Sequence, residues 1–210
     1  MSLQADNEKA VKEIVLKWLD SKEGQEFQTN LRKVAYDTGY LEGYDDGWRA
    51  VREDEHLFSD EQIDIINFCA EECYRQQSGE ISVYDMINAW HVADDRYQDD
   101  NNQLTLADIV GFGFLVEPID NSRGFRTVPV YIGWEVRDQK LPEIKQQITN
   151  LLEAWNEGRM TDPDDFYEEF EFIHPFVDGN GRTGKILYNY IKGTLRSPVM
   201  PLNRKGWAIP

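Results

Sequence analysis

His174-Pro175-Phe176-Val177-Asp178-Gly179-Asn180-Gly181-Arg182-Thr183-Gly184-Lys185 runs between two apolar-periodic segments, and its reading decides what surrounds it. Pro175 ends the segment before it, because the residue preceding a proline is driven out of the helical region. Gly179 and Gly181 open backbone conformations closed to other residues, so successive N–H groups can converge on an anion. The loop then feeds a helix N-terminus, which adds partial positive charge. Arg182 and Lys185 fall in that helix's first turn, where cations oppose the macrodipole unless an anion lies between them. The pattern therefore points to a phosphate site. Asp178 is the one acid of the loop, and its oxygens suit Mg²⁺ with phosphates completing the shell. His174 is placed to act as a general base near neutral pH. A His, Phe, Asp, Gly, Asn, Gly and Arg at these offsets arise by chance at on the order of one in 10⁹ per position.

Outward from the loop the chain reads as mostly helical. Asp162-Pro163 is an N-cap followed by proline at the first helical position, opening a helix with Phe166, Phe170 and Ile173 on one face. Leu141 to Trp155 carries Ile144, Ile148, Leu151 and Leu152 at helical spacing, with Gly158 past its end. A last helix spans about Arg182 to Gly193. Residues 110–117 and 126–134 read as two strands joined by the turn chemistry of Asp120-Asn-Ser-Arg-Gly124, and Pro129 makes the second an edge. Asp94 to Asn102 is polar and acidic and reads as a loop. Ser82 opens a helix with Val83, Met86, Ile87 and Trp90 on one face. Ser59-Asp-Glu-Gln62 is a capping box for another, reaching about Gln77. Residues 7–20 form a further amphipathic pattern, and Gly39, Gly43 and Gly47 mark a helix face for close packing. Cys69 and Cys73 lie within an apolar stripe and read as reduced core residues, with no further soft ligands for zinc. His91 reads as a packed or surface residue and His56 as solvated.

Composition bounds the function. The chain has 210 residues, 22 Lys plus Arg, 39 Asp plus Glu and a net charge of −17. Such an acidic chain is not a general nucleic-acid binder, since phosphate contacts need a basic face. No apolar run approaches the ~20 residues of a membrane-spanning helix, and no basic-then-apolar leader opens the sequence, so a cytoplasmic location is the expectation. Six Trp, ten Tyr and ten Phe supply apolar area for a core.

His-Pro-Phe-x-Asp-Gly-Asn-Gly-Arg resembles the signature of the Fic/Doc family, whose members transfer AMP, or another phosphate-containing moiety, from a nucleotide to a protein hydroxyl. Arg126-x-x-x-Val130-x-Ile132 resembles the family's flap hairpin, whose edge aligns the target. The resemblance implies a mainly α Fic fold, a helical bundle with one β-hairpin flap, over residues 78–210, preceded by an N-terminal helical extension over 1–77. It implies that His174 deprotonates a Ser, Thr or Tyr hydroxyl of a protein, the chain itself included. It implies that Asp178 holds Mg²⁺ bridging the phosphates of ATP. Asn180, with the Gly179 and Gly181 backbone, would bind the α-phosphate and Arg182 the phosphate beyond it. Phe176 would anchor the loop. Lys185 stands where the family has a second Arg, which contacts the terminal phosphate. Lys keeps the charge without the two-pronged donor, so weakened but retained activity is expected. Thr38-Gly-Tyr-Leu-Glu42-Gly43 fits the family's inhibitory pattern, although helix packing already accounts for its glycines. The Doc branch instead transfers the terminal phosphate, and a silent nucleotide-binding interaction module is a further alternative. An antitoxin-like regulator is the other partner class the resemblance implies.

Overall fold

A computed structural model describes residues 59–76, 78, 80–98 and 103–202. The expected helix at 7–20, the glycine face, His56 and the Thr38-Glu42-Gly43 motif lie outside the described residues. The chain divides into two compact units, 1–63 and 64–210. Of the first, Ser59 to Ile63 are described. They form the start of a helix, where Gln62 N donates to Ser59 Oγ at 3.2 Å and Ser59 N to Gln62 Oε1 at 3.0 Å. This is the expected capping box.

The described elements are α1 (Asp60–Arg75), α2 (Glu80–Gln98), α3 (Leu106–Val116), β1 (Val130–Ile132), β2 (Glu135–Arg137), α4 (Leu141–Asn156), α5 (Pro163–Ile173) and α6 (Asn180–Lys192). The architecture is mainly α with one two-stranded antiparallel hairpin. No described helix is long and apolar enough to cross a membrane.

The helix following the signature loop is the axis of the second unit. Ten residues of α6, Asn180 and Arg182 to Tyr190, are buried. It packs against α5, α2 and α3, and α4 covers α5. Ile65, Cys69, Cys73, Met86, Trp90, Ile109, Phe112, Phe170, Phe176 and Ile186 share one core. Burial raises the thiol pKa of both cysteines, that of Cys73 to about 12, so they are protonated hydrophobes, as expected. His91 is exposed. α5 begins as expected, with Asp162 Oδ1 accepting from Asp164 N at 3.0 Å and Pro163 in the first turn.

Three expectations are corrected. Residues 110–116 are the end of α3, not a strand. Its run of Val, Gly, Phe and Leu imitates a buried strand because α3 is enclosed by α2 and α6 and has little polar face. The overlooked signal was upstream: Thr105 and Asp108 form a capping box, with Thr105 N donating to Asp108 Oδ2 at 2.8 Å. The hairpin is consequently shorter and later. Tyr131 pairs with Val136 and Ile132 with Glu135, leaving Gly133-Trp134 as a two-residue turn. Gly133 has φ +57°, which a two-residue hairpin with glycine first demands. Residues 120–124 instead form a turn after α3, with Gly124 N donating to Asn121 O at 2.8 Å. Lastly, α2 continues to Gln98 through the acidic stretch expected to be loop.

Candidate active site

The loop between α5 and α6 is held from beneath. Phe176 is fully buried among Phe125 and Phe170. Its ring lies so close to Gly113 of α3 that a Cβ there would sit 2.1 Å from the ring. Asn180 clamps the same residue: its Oδ1 accepts from Phe176 N at 2.9 Å and its Nδ2 donates to Phe176 O at 3.0 Å. The Asn180 amide, expected on a phosphate, is thus spent on the loop itself, and its backbone N–H is the group left for a ligand. Asn121 adds a second brace, donating from Nδ2 to Gly113 O and Asp178 O, both at 2.9 Å.

The start of α6 carries the groups that an anion site needs. Gly179 is its N-cap at φ +71°, a conformation that only glycine enters cheaply, and no side chain caps the helix. The first backbone bond is Thr183 N to Gly179 O at 2.9 Å, so the N–H groups of Asn180, Gly181 and Arg182 have no intrahelical partner. No acid lies in the first turn. Gly181 serves differently from expectation. It is helical and has no positive φ, and it is needed for space, since a Cβ would meet Gln76 Nε2 at 2.6 Å.

Arg182 is 1% exposed. Its Nη2 contacts Glu117 Oε2 at 2.8 Å and Asp178 Oδ2 at 3.7 Å. Its Nε has no hydrogen-bond partner among the described residues. Asp178 is 62% exposed at the side chain. Oxygens of Glu117, Asp120 and Asp178 all lie within 4.8 Å of one another. An all-oxygen carboxylate set is the chemistry a hard cation such as Mg²⁺ takes, so these residues fit the implied metal.

His174 caps α5 in the left-handed region, at φ 49° and ψ 64°, the one non-glycine with positive φ among the described residues. Such strain persists where surroundings over-determine it, and it collects at functional sites. Arg126 supplies the constraint. Its side chain is 1% exposed, with Nε donating to His174 O at 2.7 Å and Nη1 to Val128 O and Arg137 O at 3.2 and 3.1 Å. Its backbone N donates to Pro175 O at 2.9 Å. Arg126 therefore ties the base of the hairpin to the loop rather than lying along the hairpin's edge. Val130 is buried and Ile132 half-buried on one face, while Tyr131, Trp134 and Val136 are exposed. His174 Nδ1 lies 3.4 Å from the Glu171 carbonyl oxygen. That oxygen can only accept, so the contact places the hydrogen on Nδ1 and leaves the Nε2 lone pair available. Burial, with Arg126 and Arg137 nearby, lowers the imidazole pKa to about 4. The ring is neutral at pH 7, as a base must be.

Lys185 is not in this group. Its ammonium is buried, paired with Glu72 Oε1 at 2.5 Å and donating to Tyr167 Oη at 3.2 Å. Glu72 is itself 1% exposed and also meets Arg75 at 3.3 Å. The ammonium expected at a terminal phosphate is held in a buried ion pair. Sequence reading missed Glu72, Glu117 and Asn121, because all three act across long chain separations and carry no local motif.

Among the solved structures that resemble the chain are two Fic proteins. Fic-1 from C. elegans, as its residues 134–508, is 21% identical with a TM-score of 0.43, over 57% of this chain and 39% of that one. A Fic family protein from Desulfovibrio desulfuricans is 17% identical with a TM-score of 0.44, over 93% and 60% respectively. The chain thus spans less than two thirds of either. Residues 116–191, from the end of α3 through the hairpin to α6, match the model of the Fic/DOC family.

Proposed function

We propose that the chain transfers AMP from ATP to a Ser, Thr or Tyr hydroxyl of a protein. The observation that carries the reading is the neutral His174, strained and half-buried at the rim of an uncapped helix N-terminus that bears Arg182. His174 Nε2 takes the proton of the target hydroxyl. The oxygen attacks the α-phosphorus, forming the ester bond, and the bond to the β-phosphate oxygen breaks, releasing pyrophosphate. Such transfers depend mainly on positioning and charge neutralisation. The N–H groups of Asn180, Gly181 and Arg182 hold phosphate oxygens, and the guanidinium of Arg182 the phosphate beyond. Asp178 would hold Mg²⁺, with Glu117 and Asp120 beside it. The ion supplies neutralisation between the phosphates when bound. The target lies along the hairpin, whose base Arg126 keeps in register with His174. Val130 and Ile132 line its inner face, and the exposed Tyr131, Trp134 and Val136 its outer one.

Incubation with ATP labelled at the α- or γ-phosphate tests the reading, in the presence of Mg²⁺ and a cell extract as target source. Protein labelled from the α-position, lost in His174→Ala, is the expected result. Label from the γ-position would reassign the chain to phosphotransfer, and label from neither would mean a silent or inhibited module. The Thr38-Glu42-Gly43 brake is tested in the same assay, since Glu42→Gly should raise self-labelling.

A further inference from the structure

The charge around Arg182 is inverted for an anion site. One buried guanidinium faces Glu117 at 2.8 Å and Asp178 at 3.7 Å, with Asp120 in the same cluster. A fourth carboxyl, Asp85, lies close enough for its charge to act on both Glu117 and Arg182. The Glu117 contact is not an accident of a long side chain reaching through solvent. Glu117 is the C-cap of α3, its backbone N–H bonded to Gly113 O at 3.2 Å, and its Cβ is only 3.4 Å from where a Cβ on Gly179 would stand. Its carboxylate is 18% exposed, so the pair is poorly screened. Yet two features of the same spot call for an anion: the unpartnered, buried Nε of Arg182 and the three unpaired N–H groups of the uncapped helix.

We propose that Glu117 is a specificity-determining residue that restricts this loop to phosphate donors already complexed with a divalent cation. The inference rests on the reading of the loop as a nucleotide site. A free polyphosphate must displace Glu117 from Arg182 while adding negative charge beside Asp120 and Asp178. A donor carrying its own cation brings the positive charge that these carboxylates lack, and Glu117 loses nothing when Arg182 turns to the phosphate. The ligand class is a metal-bound nucleoside polyphosphate, and the feature selected is the metal.

Calorimetric titration of ATP into the full chain tests this, in EDTA and in Mg²⁺, with parent protein, Glu117→Gln and Glu117→Asp. The Gln variant keeps the shape and a hydrogen-bond acceptor for Arg182 and removes the charge. It should bind metal-free ATP at least about tenfold more tightly than the parent, and its ratio of Mg²⁺ to EDTA affinity should fall by a similar factor. The Asp variant, which keeps the charge, should retain most of the parent's ratio. If Gln leaves metal-free affinity unchanged or weaker, Glu117 only positions Arg182 and the inference fails. It fails equally if Asp and Gln lose the ratio together, because packing rather than charge would then be responsible. Absence of ATP binding in Mg²⁺ in all three proteins overturns the nucleotide reading itself.

Discussion

At the scale of single residues, the site works by opposing the ordinary preferences of its groups. His174 is driven neutral by burial and by Arg126 and Arg137. A base is lost on protonation, so the acid limb of the pH profile for kcat/KM should fall near pH 4 rather than 6.5. The same shift enters stability with a definite sign. The folded imidazole resists protonation that the unfolded one accepts, so stability drops as pH falls from 6.5 toward 4. His174→Gln should lose less stability over that interval in denaturant titrations, and should reduce transfer by about 10²-fold or more. Lys185 makes the opposite point, as a cation placed for the fold. Lys185→Met leaves Glu72 buried without its main partner and should cost about 3 kcal/mol. That is the low end for a broken buried pair, because Arg75 also reaches Glu72. Adding Glu72→Gln should recover much of that loss by thermal melting, which a phosphate-binding lysine would not predict.

At the scale of elements, α3 and α6 set the loop from opposite sides. Phe176 is seated by Gly113, and its backbone is clamped by Asn180, so displacement of the ring moves the helix N-terminus as well. Gly113→Ala should therefore destabilise by about 1–3 kcal/mol, typical of overpacking, and also depress transfer at temperatures where the variant is fully folded. Thr105→Ala offers a control on the same helix. It removes one capping bond at the far end of α3, so it should cost about 1 kcal/mol in melting experiments and leave transfer near the parent level. The hairpin is anchored differently, through Arg126 and its carbonyl partners rather than through packed strands. That ties the base of a hairpin of two three-residue strands to the backbone of His174.

At the scale of the whole molecule, a charge of −17 sets a self-repulsive background against which the local field at α6 operates. The Debye length shortens from about 30 Å at 0.01 M salt to about 10 Å at 0.1 M, so added salt relieves that repulsion while leaving buried pairs such as Lys185–Glu72 little affected. The melting temperature should rise between these salt concentrations, and a fall would mean that exposed ion pairs dominate. The carboxylates of Glu117, Asp120 and Asp178 around Arg182 add locally to that acidic background.

The amino-acid sequence by itself determined the loop, because its information is local. Proline, two glycines, an asparagine and an arginine at set offsets specify a helix stop, an uncapped helix start and the groups around it. The boundaries of α5 and α4 were legible for the same reason, through Asp162-Pro163 and the apolar spacing of Ile144, Ile148, Leu151 and Leu152. Only the tertiary structure decided what depends on neighbours distant in the chain. Residues 110–116 are enclosed on several sides, which erases the periodicity that distinguishes helix from strand and leaves the Thr105–Asp108 capping box as the local mark of the helix. Lys185 looked like a phosphate ligand until Glu72, 113 residues earlier, claimed its ammonium. Arg182 met Glu117 from 65 residues away, turning a simple cation into a contested one. Charge pairing in a folded chain acts through space, and that distance is not written in the spacing of residues.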